Sequence, residues 1–351
     1  MLSEFCFYSA WYCPFQRTHH FVRLLRRRGV ASDVITRLLP VHNHGRMFPH
    51  AGLPRRVTHL WDVPPLGALR SVRRPWVRLQ EQAAFRRLRP GQPLVVCTVP
   101  LGLPEVPGPL VFDCCDDYGA FGPSRDPEQE RREELLAGRA DAIWVTSAGL
   151  QKRWARRHGS KVFLVPNGAE AGHFGVAATA APDPAVPVVG YFGAICGWFD
   201  LQLLAGAARL APRVRFEIVG HVALKDIPAL PPNLVFLGAR PYGELPALMR
   251  SWHAGLIPFV LNDLTLATNP VKMYEYLAGG RPVIATAMPE VEALREPGVV
   301  EIVRSAREMA DAVLHAVEAP PRPGQVARRL DLARDNTWDR RLDQALATLR
   351  P

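Results

Sequence analysis

The sequence predicts an α/β protein built from two doubly wound domains in tandem, and three observations carry that reading. Its 351 residues, 48% of them hydrophobic, suffice for two ordinary cores. Short apolar runs of strand length alternate with helix-period segments along most of the chain, the pattern of parallel sheets flanked by helices. The alternation breaks at residues 177–187, which are rich in Ala and Pro and hold almost no large apolar side chain. The expected division is therefore a first domain over 1–176, a linker over 177–187, a second domain over 188–325 and a closing segment over 326–351.

Residues 4–10 read as a short buried strand, followed by a turn at Pro14 and an amphipathic helix over 18–28 that stops at Gly29. Residues 94–99 and 110–115 are strands, the first bounded by Pro93 and Pro100, the second following a Pro- and Gly-rich connection. A charged helix over 127–138, a strand over 142–146, a helix over 148–157 and a strand over 161–165 complete the first domain. Beyond the linker come a strand over 188–192, a helix over 201–210, strands over 215–219 and 234–237, a helix over 245–252 and a strand over 255–258. A helix opening at Asn269 and a strand over 282–286 follow. Pro320 and Pro323 then break the chain before a helix over 326–349.

Charge is divided unevenly. Residues 1–175 hold 25 Lys and Arg against 15 Asp and Glu, and the remainder holds 18 against 18, so the whole net charge of +10 lies in the first half. A basic face of that kind suits an anionic membrane surface, a diphosphate-linked acceptor or nucleic acid, and an arginine bias without function gives the same count. No run of about 18 apolar residues spans a bilayer, and Glu4 near the start argues against a secretory signal. The expected location is cytoplasmic, with peripheral attachment to the inner face of the membrane as an option. Six cysteines at 6, 13, 97, 114, 115 and 196 form no Cys-x-x-Cys pair, which fits reduced thiols.

The most informative stretch is residues 269–285, NPVKMYEYLAGGRPVIA. Asn269 is a suitable N-cap and Pro270 occupies a first helical position, where its missing N–H had no partner. The free amides of that turn, with Lys272, make a place for a diphosphate. Glu275 follows Lys272 by three residues on the same face, where a carboxylate can accept from the vicinal hydroxyls of a ribose. Taken alone, Lys272 and Glu275 fit a solvated ion pair better than a ligand site, and it is the flanking residues that favour the site.

Residues 258–285 resemble the donor-site helix, with its lead-in, of GT-B fold glycosyltransferases, family 4-like, of the bacterial cell-surface polysaccharide (teichuronic-acid) type. Three further segments are similar in order: Asp113-Cys114-Cys115-Asp116-Asp117-Tyr118-Gly119-Ala120-Phe121, Val165-Pro166-Asn167-Gly168, and Gly190-Tyr191-Phe192-Gly193-Ala194-Ile195 followed by Trp198-Phe199-Asp200. The resemblance implies two Rossmann-like domains facing across a cleft, a C-terminal helix returning to the first, and hexosyl transfer from a nucleoside-diphosphate sugar to a glycan or lipid-linked acceptor. It implies donor contacts from Gly193, Gly238, Thr265, Thr268, Asn269, Lys272 and Glu275, with the nucleobase against residues 238–242. The spacing of Gly190, Gly193 and Gly197 does not match a dinucleotide fingerprint.

Asp116 and Asp117, at a strand's carboxyl end, are the candidate catalytic bases, since adjacent like charges raise one pKa; capping or pairing with arginine is the alternative role. Arg17, His19 and His20, after the first strand, are acceptor-binding candidates or surface-loop residues. His42, His44 and His50 have no acid or thiol at ligand spacing, so no metal is expected, and no Asp-x-Asp occurs. Catalysis is expected to be metal-independent and without cofactor. Many retaining relatives carry an acid where this chain has Ala267, so an Asp base suits inversion better. Two other classes stay open: a nucleotide-sugar epimerase of the same architecture, and a basic nucleic-acid-binding protein. The second is disfavoured, since the arginines lie in helical patterns rather than among exposed aromatics, and no nucleic acid partner is expected.

Overall fold

The computed structural model describes residues 4–8, 17–38, 54–61, 70–87, 93–98, 106 and 108–349, apart from 123, 180, 184, 225, 226, 228, 320 and 321. His42, His44, His50 and Pro14 lie outside the described residues. The chain divides into two compact units, Met1–Val165 with Leu342–Pro351, and Pro166–Arg341.

The first unit contains β1 (Glu4–Tyr8), α1 (Arg17–Arg27), β2 (Ala31–Leu38), β3 (Arg56–Trp61), α2 (Arg70–Arg86), β4 (Leu94–Cys97), β5 (Leu110–Cys114), α3 (Pro127–Arg139), β6 (Ala142–Val145), α4 (Ala148–His158) and β7 (Val162–Leu164). Among the described residues its seven strands lie in the order β3-β2-β1-β4-β5-β6-β7, and every neighbouring pair is parallel. Phe7 in β1 is opposite Val34 on one side and Val96 on the other, so β1 sits at the centre with both faces covered. The order reverses between β1 and β4, the point where open sheets of this kind leave a crevice at the strands' carboxyl ends. Local signals set the helix starts. Asp126 caps α3 by accepting from the amides of Glu128 and Gln129, and Ser147 caps α4 by accepting from Leu150.

Three elements of this unit escape a sequence reading. In β2 the buried residues include Ser32, Asp33 and Thr36, so the apolar run is interrupted; Asp33 is tolerated there because Arg55 donates to both its oxygens, at 3.0 and 2.8 Å. The adjacent β3, RVTHLW, is as polar as β2 and pairs with it. In α2, Pro75 lies inside the helix, where it would be expected to end one.

The second unit contains α5 (Ala171–Phe174), β8 (Val188–Phe192), α6 (Leu201–Leu210), β9 (Arg215–Val219), β10 (Leu234–Gly238), α7 (Leu245–Met249), β11 (Ala254–Ile257), α8 (Asp263–Leu266), α9 (Val271–Ala278), β12 (Val283–Thr286), α10 (Pro289–Glu292), β13 (Val300–Val303), α11 (Ala306–Glu318) and α12 (Pro323–Asp335). α13 (Trp338–Ala347) begins in it and ends in the first unit. Among the described residues its six strands run parallel in the order β10-β9-β8-β11-β12-β13, reversing between β8 and β11. An aromatic core lies over the centre of this sheet, with Phe192 near the rings of Trp252 and Tyr276. Those rings take the space of two strand side chains: a β-carbon on Gly190 would meet Trp252 at 2.0 Å, and one on Gly255 would meet Tyr276 at 2.3 Å.

Two boundary expectations are corrected. The change of unit falls at Val165 and Pro166, not within residues 177–187. Phe174 and Ala177 belong to the second unit's core, and Arg281 donates to the Ala177 carbonyl at 2.7 Å. The expected single helix over 326–349 is two helices. Asn336 and Thr337 leave the helical path because their backbone lies against residues 168–169, with Ala169 N donating to Asn336 O at 2.9 Å. A β-carbon on Gly168 would meet that carbonyl at 2.7 Å, so the approach needs glycine. Arg341, where the chain leaves this unit, donates from Nε to Asn167 O at 3.0 Å and from Nη2 to Asn336.

Candidate functional site

The second unit gathers its polar groups around the start of α9. The helix begins at Val271, and the residue before it, Pro270, has extended backbone and no capping side chain. Asn269 is therefore not the N-cap expected from sequence. Its side chain is used sideways: Oδ1 accepts from Asn167 N at 3.1 Å, and Nδ2 donates to the Tyr274 hydroxyl at 3.1 Å and to Glu290 at 2.8 Å. Asn167 Nδ2 returns a bond to the Asn269 carbonyl at 2.7 Å. The lead-in to α9 is thus pinned on three sides, while no side chain caps the helix's positive end.

Lys272 extends from the first turn of α9 to the turn after β8. Its Nζ lies 5.5 Å from the ring centroid of Tyr191 and 5.8 Å from that of Phe259, within reach of both π faces. Beneath it is Gly193, with φ +143°, and Gly193 N donates to Val219 O at 2.8 Å. The neighbouring turn is as tight, since a β-carbon on Gly220 would stand 1.8 Å from the Gly193 carbonyl oxygen. Gly220 N in turn donates to Gly238 O at 2.9 Å. Three glycines thus step across the carboxyl ends of β8, β9 and β10, leaving bare backbone below Lys272. Gly193 and Gly238 were visible in the sequence, and Gly220, Tyr191 and Phe259 were not singled out as site residues.

Glu275 is one turn further along the same face and only 6% exposed. Burial pushes its carboxyl up to about 7, against the opposing pull of the Lys272 charge and of the Tyr242 hydroxyl. Tyr242 stands at the end of the loop that follows β10. Its ring stacks on His173 with centroids 4.6 Å apart and meets the edge of Phe174, while His173 Nε2 lies 3.1 Å from the Tyr242 carbonyl. The expected nucleobase loop, 238–242, therefore terminates on the acid expected to hold the ribose. Tyr242 and His173 carry no motif that would have marked them.

The two threonines are occupied locally. Thr265, 1% exposed, forms a capping box with Asn262, each backbone N–H donating to the other's side chain at 3.0 Å, and its hydroxyl donates to the Val260 carbonyl. Its sequence reading as a donor ligand is replaced by a helix-capping role, since both ends of that hydroxyl are engaged in shaping α8. Thr268 donates to the Leu264 carbonyl at 2.8 Å.

In the first unit the candidate residues separate by environment. Arg17 is buried, its Nε 2.9 Å from Asp113 Oδ2 and its Nη1 donating to the Val165 carbonyl at 2.9 Å, with the guanidinium over Phe21. Burial raises the Asp113 pKa and Arg17 opposes it. Arg17 is thus a core ion-pair partner in place of the expected acceptor ligand. His19 and His20 lie in the first turn of α1, within the helix expected over 18–28, and are 3% and 2% exposed, so they are packed helix residues, which sets aside the surface-loop alternative.

Asp116 and Asp117 likewise differ. Asp117 is buried between two guanidiniums: Arg125 Nη2 reaches its oxygens at 3.0 and 3.1 Å, and Arg153 Nη1 lies 2.5 Å from Oδ1. Arg153 also approaches Glu133 at 3.5 Å, whose carboxyl burial raises to about 7. A carboxylate whose two oxygens already face guanidiniums is poorly placed to take a proton from a substrate. Asp116 is half-buried at the turn beyond β5.

Comparison with known proteins places this geometry in a class. Residues 186–319 match the family Glycosyl transferases group 1. The chain is 17% identical to HepE of Anabaena, solved with UDP and glucose, over 98% of each chain with a TM-score of 0.68. It is 12% identical to WaaG, a glycosyltransferase involved in lipopolysaccharide biosynthesis, over 97% of this chain and 98% of that one, with a TM-score of 0.70. The fold is therefore GT-B, and the match to the glycosyl transferases group 1 family lies within its second unit. Among individual proteins, it is 29% identical over 217 residues to a Bacillus subtilis (strain 168) protein named for teichuronic acid biosynthesis, the glycosyltransferase TuaH. That match covers 55% of this chain and 54% of TuaH, so the chain aligns with about half the length of that relative. The resemblance read from the sequence, to GT-B glycosyltransferases of the cell-surface polysaccharide type, is supported by the three comparisons taken together.

Proposed function

We propose that this chain transfers a sugar, of hexosyl type, from a nucleoside diphosphate to a glycan or lipid-linked acceptor, working at the inner face of the membrane as a peripheral protein. One observation carries the reading: an uncapped helix start, Lys272 and the buried Glu275 lie in succession beside the bare backbone at Gly193. The amides of α9 and Lys272 take the diphosphate and stabilise the charge that develops as the leaving group departs. Glu275 accepts from the ribose hydroxyls, steadied by Tyr242, and the loop at Gly238 supports the base. The acceptor oxygen attacks the anomeric carbon, the bond to the diphosphate oxygen breaks, and Asp116 takes the hydroxyl proton.

Catalysis in this reading uses protein groups only, since Lys272 and the helix amides supply the positive charge a metal would otherwise provide. HepE was solved with UDP and glucose, which makes uridine diphosphate sugars the first donors to try. The group 1 match favours transfer over epimerisation and over nucleic-acid binding. No helix among the described residues is long and apolar enough to cross a membrane.

A thermal-shift panel of nucleoside diphosphates and their sugars tests the reading. Stabilisation by a diphosphate, lost in Lys272→Met and in Glu275→Ala, is the expected result. A protein indifferent to every donor, or one that interconverts a donor sugar without acceptor, would remove sugar transfer as its function.

A further inference from the structure

The turn after β5 holds an exposed aromatic plate beside a carboxylate. Phe121 is 48% exposed, and its ring runs nearly parallel to that of Tyr118, with centroids 5.9 Å apart and planes 14° from parallel. We infer that Phe121, backed by Tyr118, is a platform for an uncharged pyranose ring, the sugar of the acceptor that presents its hydroxyl to Asp116. As an acceptor site it rests on the sugar-transfer reading above, to which it adds the chemistry of the acceptor.

The plate is fixed by its surroundings. Tyr118–Ala120 form a single 3₁₀ turn, in which Ala120 N donates to Asp117 O at 2.9 Å and Tyr118 N to Asp116 O at 3.1 Å. A β-carbon on Gly119 would meet Cγ of Glu130 at 2.8 Å, so the turn lies directly against α3, and Asp126 N donates to Gly119 O at 2.9 Å. The buried Asp117 carboxylate adds the hold of Arg125 and Arg153. That cluster of charges thus anchors the turn that carries both Asp116 and Phe121. An aromatic side chain on a fixed turn offers contact area with little freedom left to lose on binding.

A pyranose has the two kinds of surface this corner calls for. Its axial C–H groups form an apolar, weakly positive face suited to the negative face of an aromatic ring, and its equatorial hydroxyls project from the rim. Asp116, half-buried before the 3₁₀ turn, can accept from a rim hydroxyl. Burial first, then Cys115 and Asp116 beside it, push the Tyr118 hydroxyl well above its ordinary range, so the acid and the plate share one corner. Local charge selects against anions. Arg125 and Arg153 already face Asp117, Glu130 and Glu133, two guanidiniums to three carboxyl groups, and Asp116 adds a fourth acid. A phosphate-bearing ligand stacked on Phe121 would be repelled there, whereas an uncharged sugar would not.

Saturation-transfer NMR on the full chain with methyl glucopyranoside, methyl galactopyranoside and methyl mannopyranoside tests the platform. At least one glycoside should receive saturation at the C–H protons of one ring face. Phe121→Ala should weaken that glycoside roughly tenfold, and Phe121→Trp should restore it, with the new indole's fluorescence changing on titration. Melting temperature and the thermal shift given by uridine diphosphate should stay at wild-type values in both variants. No saturation of any glycoside by the wild type, or equal saturation by Phe121→Ala, would overturn the proposal. Binding of a single-stranded oligonucleotide through Phe121, with the glycosides silent, would overturn it in favour of nucleic acid. In each of those cases stabilisation by a diphosphate would leave sugar transfer standing. A protein indifferent to every donor that still binds a glycoside through Phe121 would support the platform while removing sugar transfer.

Discussion

A β-carbon on Gly193 would stand 2.2 Å from Cε of Lys272 and 2.7 Å from its Nζ, so the lysine ends in space that only a glycine leaves open. Gly193→Ala therefore has to displace the ammonium, and φ +143° adds backbone strain. We expect roughly tenfold or greater loss of nucleotide affinity with about 1–3 kcal/mol of stability lost, read by calorimetric titration and denaturant unfolding. Lys272→Met should lose comparable affinity while unfolding close to wild type.

Glu275 gives a pH signature. Its folded pKa, about 7, is above the ordinary 4.5, so the folded state holds the proton more tightly than the unfolded chain. The associated stability is complete below about pH 4.5 and is lost as pH rises through 7, a total of about 3 kcal/mol. Denaturant midpoints across that window should fall in the wild type relative to Glu275→Gln. Nucleotide binding should run the other way, tightening as the carboxyl ionises to accept from ribose hydroxyls, and Glu275→Gln should abolish that trend.

The neighbouring aspartates should part company on mutation. Asp116→Asn should reduce transfer by about 10²–10⁴ with unfolding and nucleotide binding unchanged. Asp117→Asn leaves Arg125 and Arg153 facing a neutral amide and should cost about 1–3 kcal/mol of stability. Steady-state transfer assays paired with unfolding curves decide between them. Full transfer by Asp116→Asn would move the base elsewhere.

Arg17→Met should destabilise the protein by about 3–5 kcal/mol, because Asp113 would remain buried without its cation. Adding Asp113→Leu should recover most of that loss in urea unfolding, as expected for a core ion pair. An acceptor ligand would show undisturbed stability and a raised KM for acceptor.

The alternation of strands and helices in the second unit was legible because β8, β11 and β12 are short apolar runs, and α6 carries a plain 3.6-residue period. The Lys272 and Glu275 face was legible for the same reason, being set by three residues of one helix. What escaped depends on partners remote in sequence. Residues 177–187 read as a linker because the guanidinium that fastens Ala177 belongs to Arg281, and β2 went unassigned because the cation that lets Asp33 be buried is Arg55. Asn269 misled through its own versatility: the side chain that could cap α9 is claimed by Asn167, Tyr274 and Glu290. Arg281 itself, buried and held near 10 by desolvation, binds backbone carbonyls of Met249, Ala177 and Arg250, which no residue pattern reveals.

The clasp between Asn167 and Arg341 joins the places where the chain enters and leaves the second unit. Residues 166–341 consequently have their two ends side by side, as a cassette would. Such a segment can be excised and stitched head to tail with a short peptide, or exchanged wholesale with the corresponding piece of another protein, without stretching the backbone across the fold.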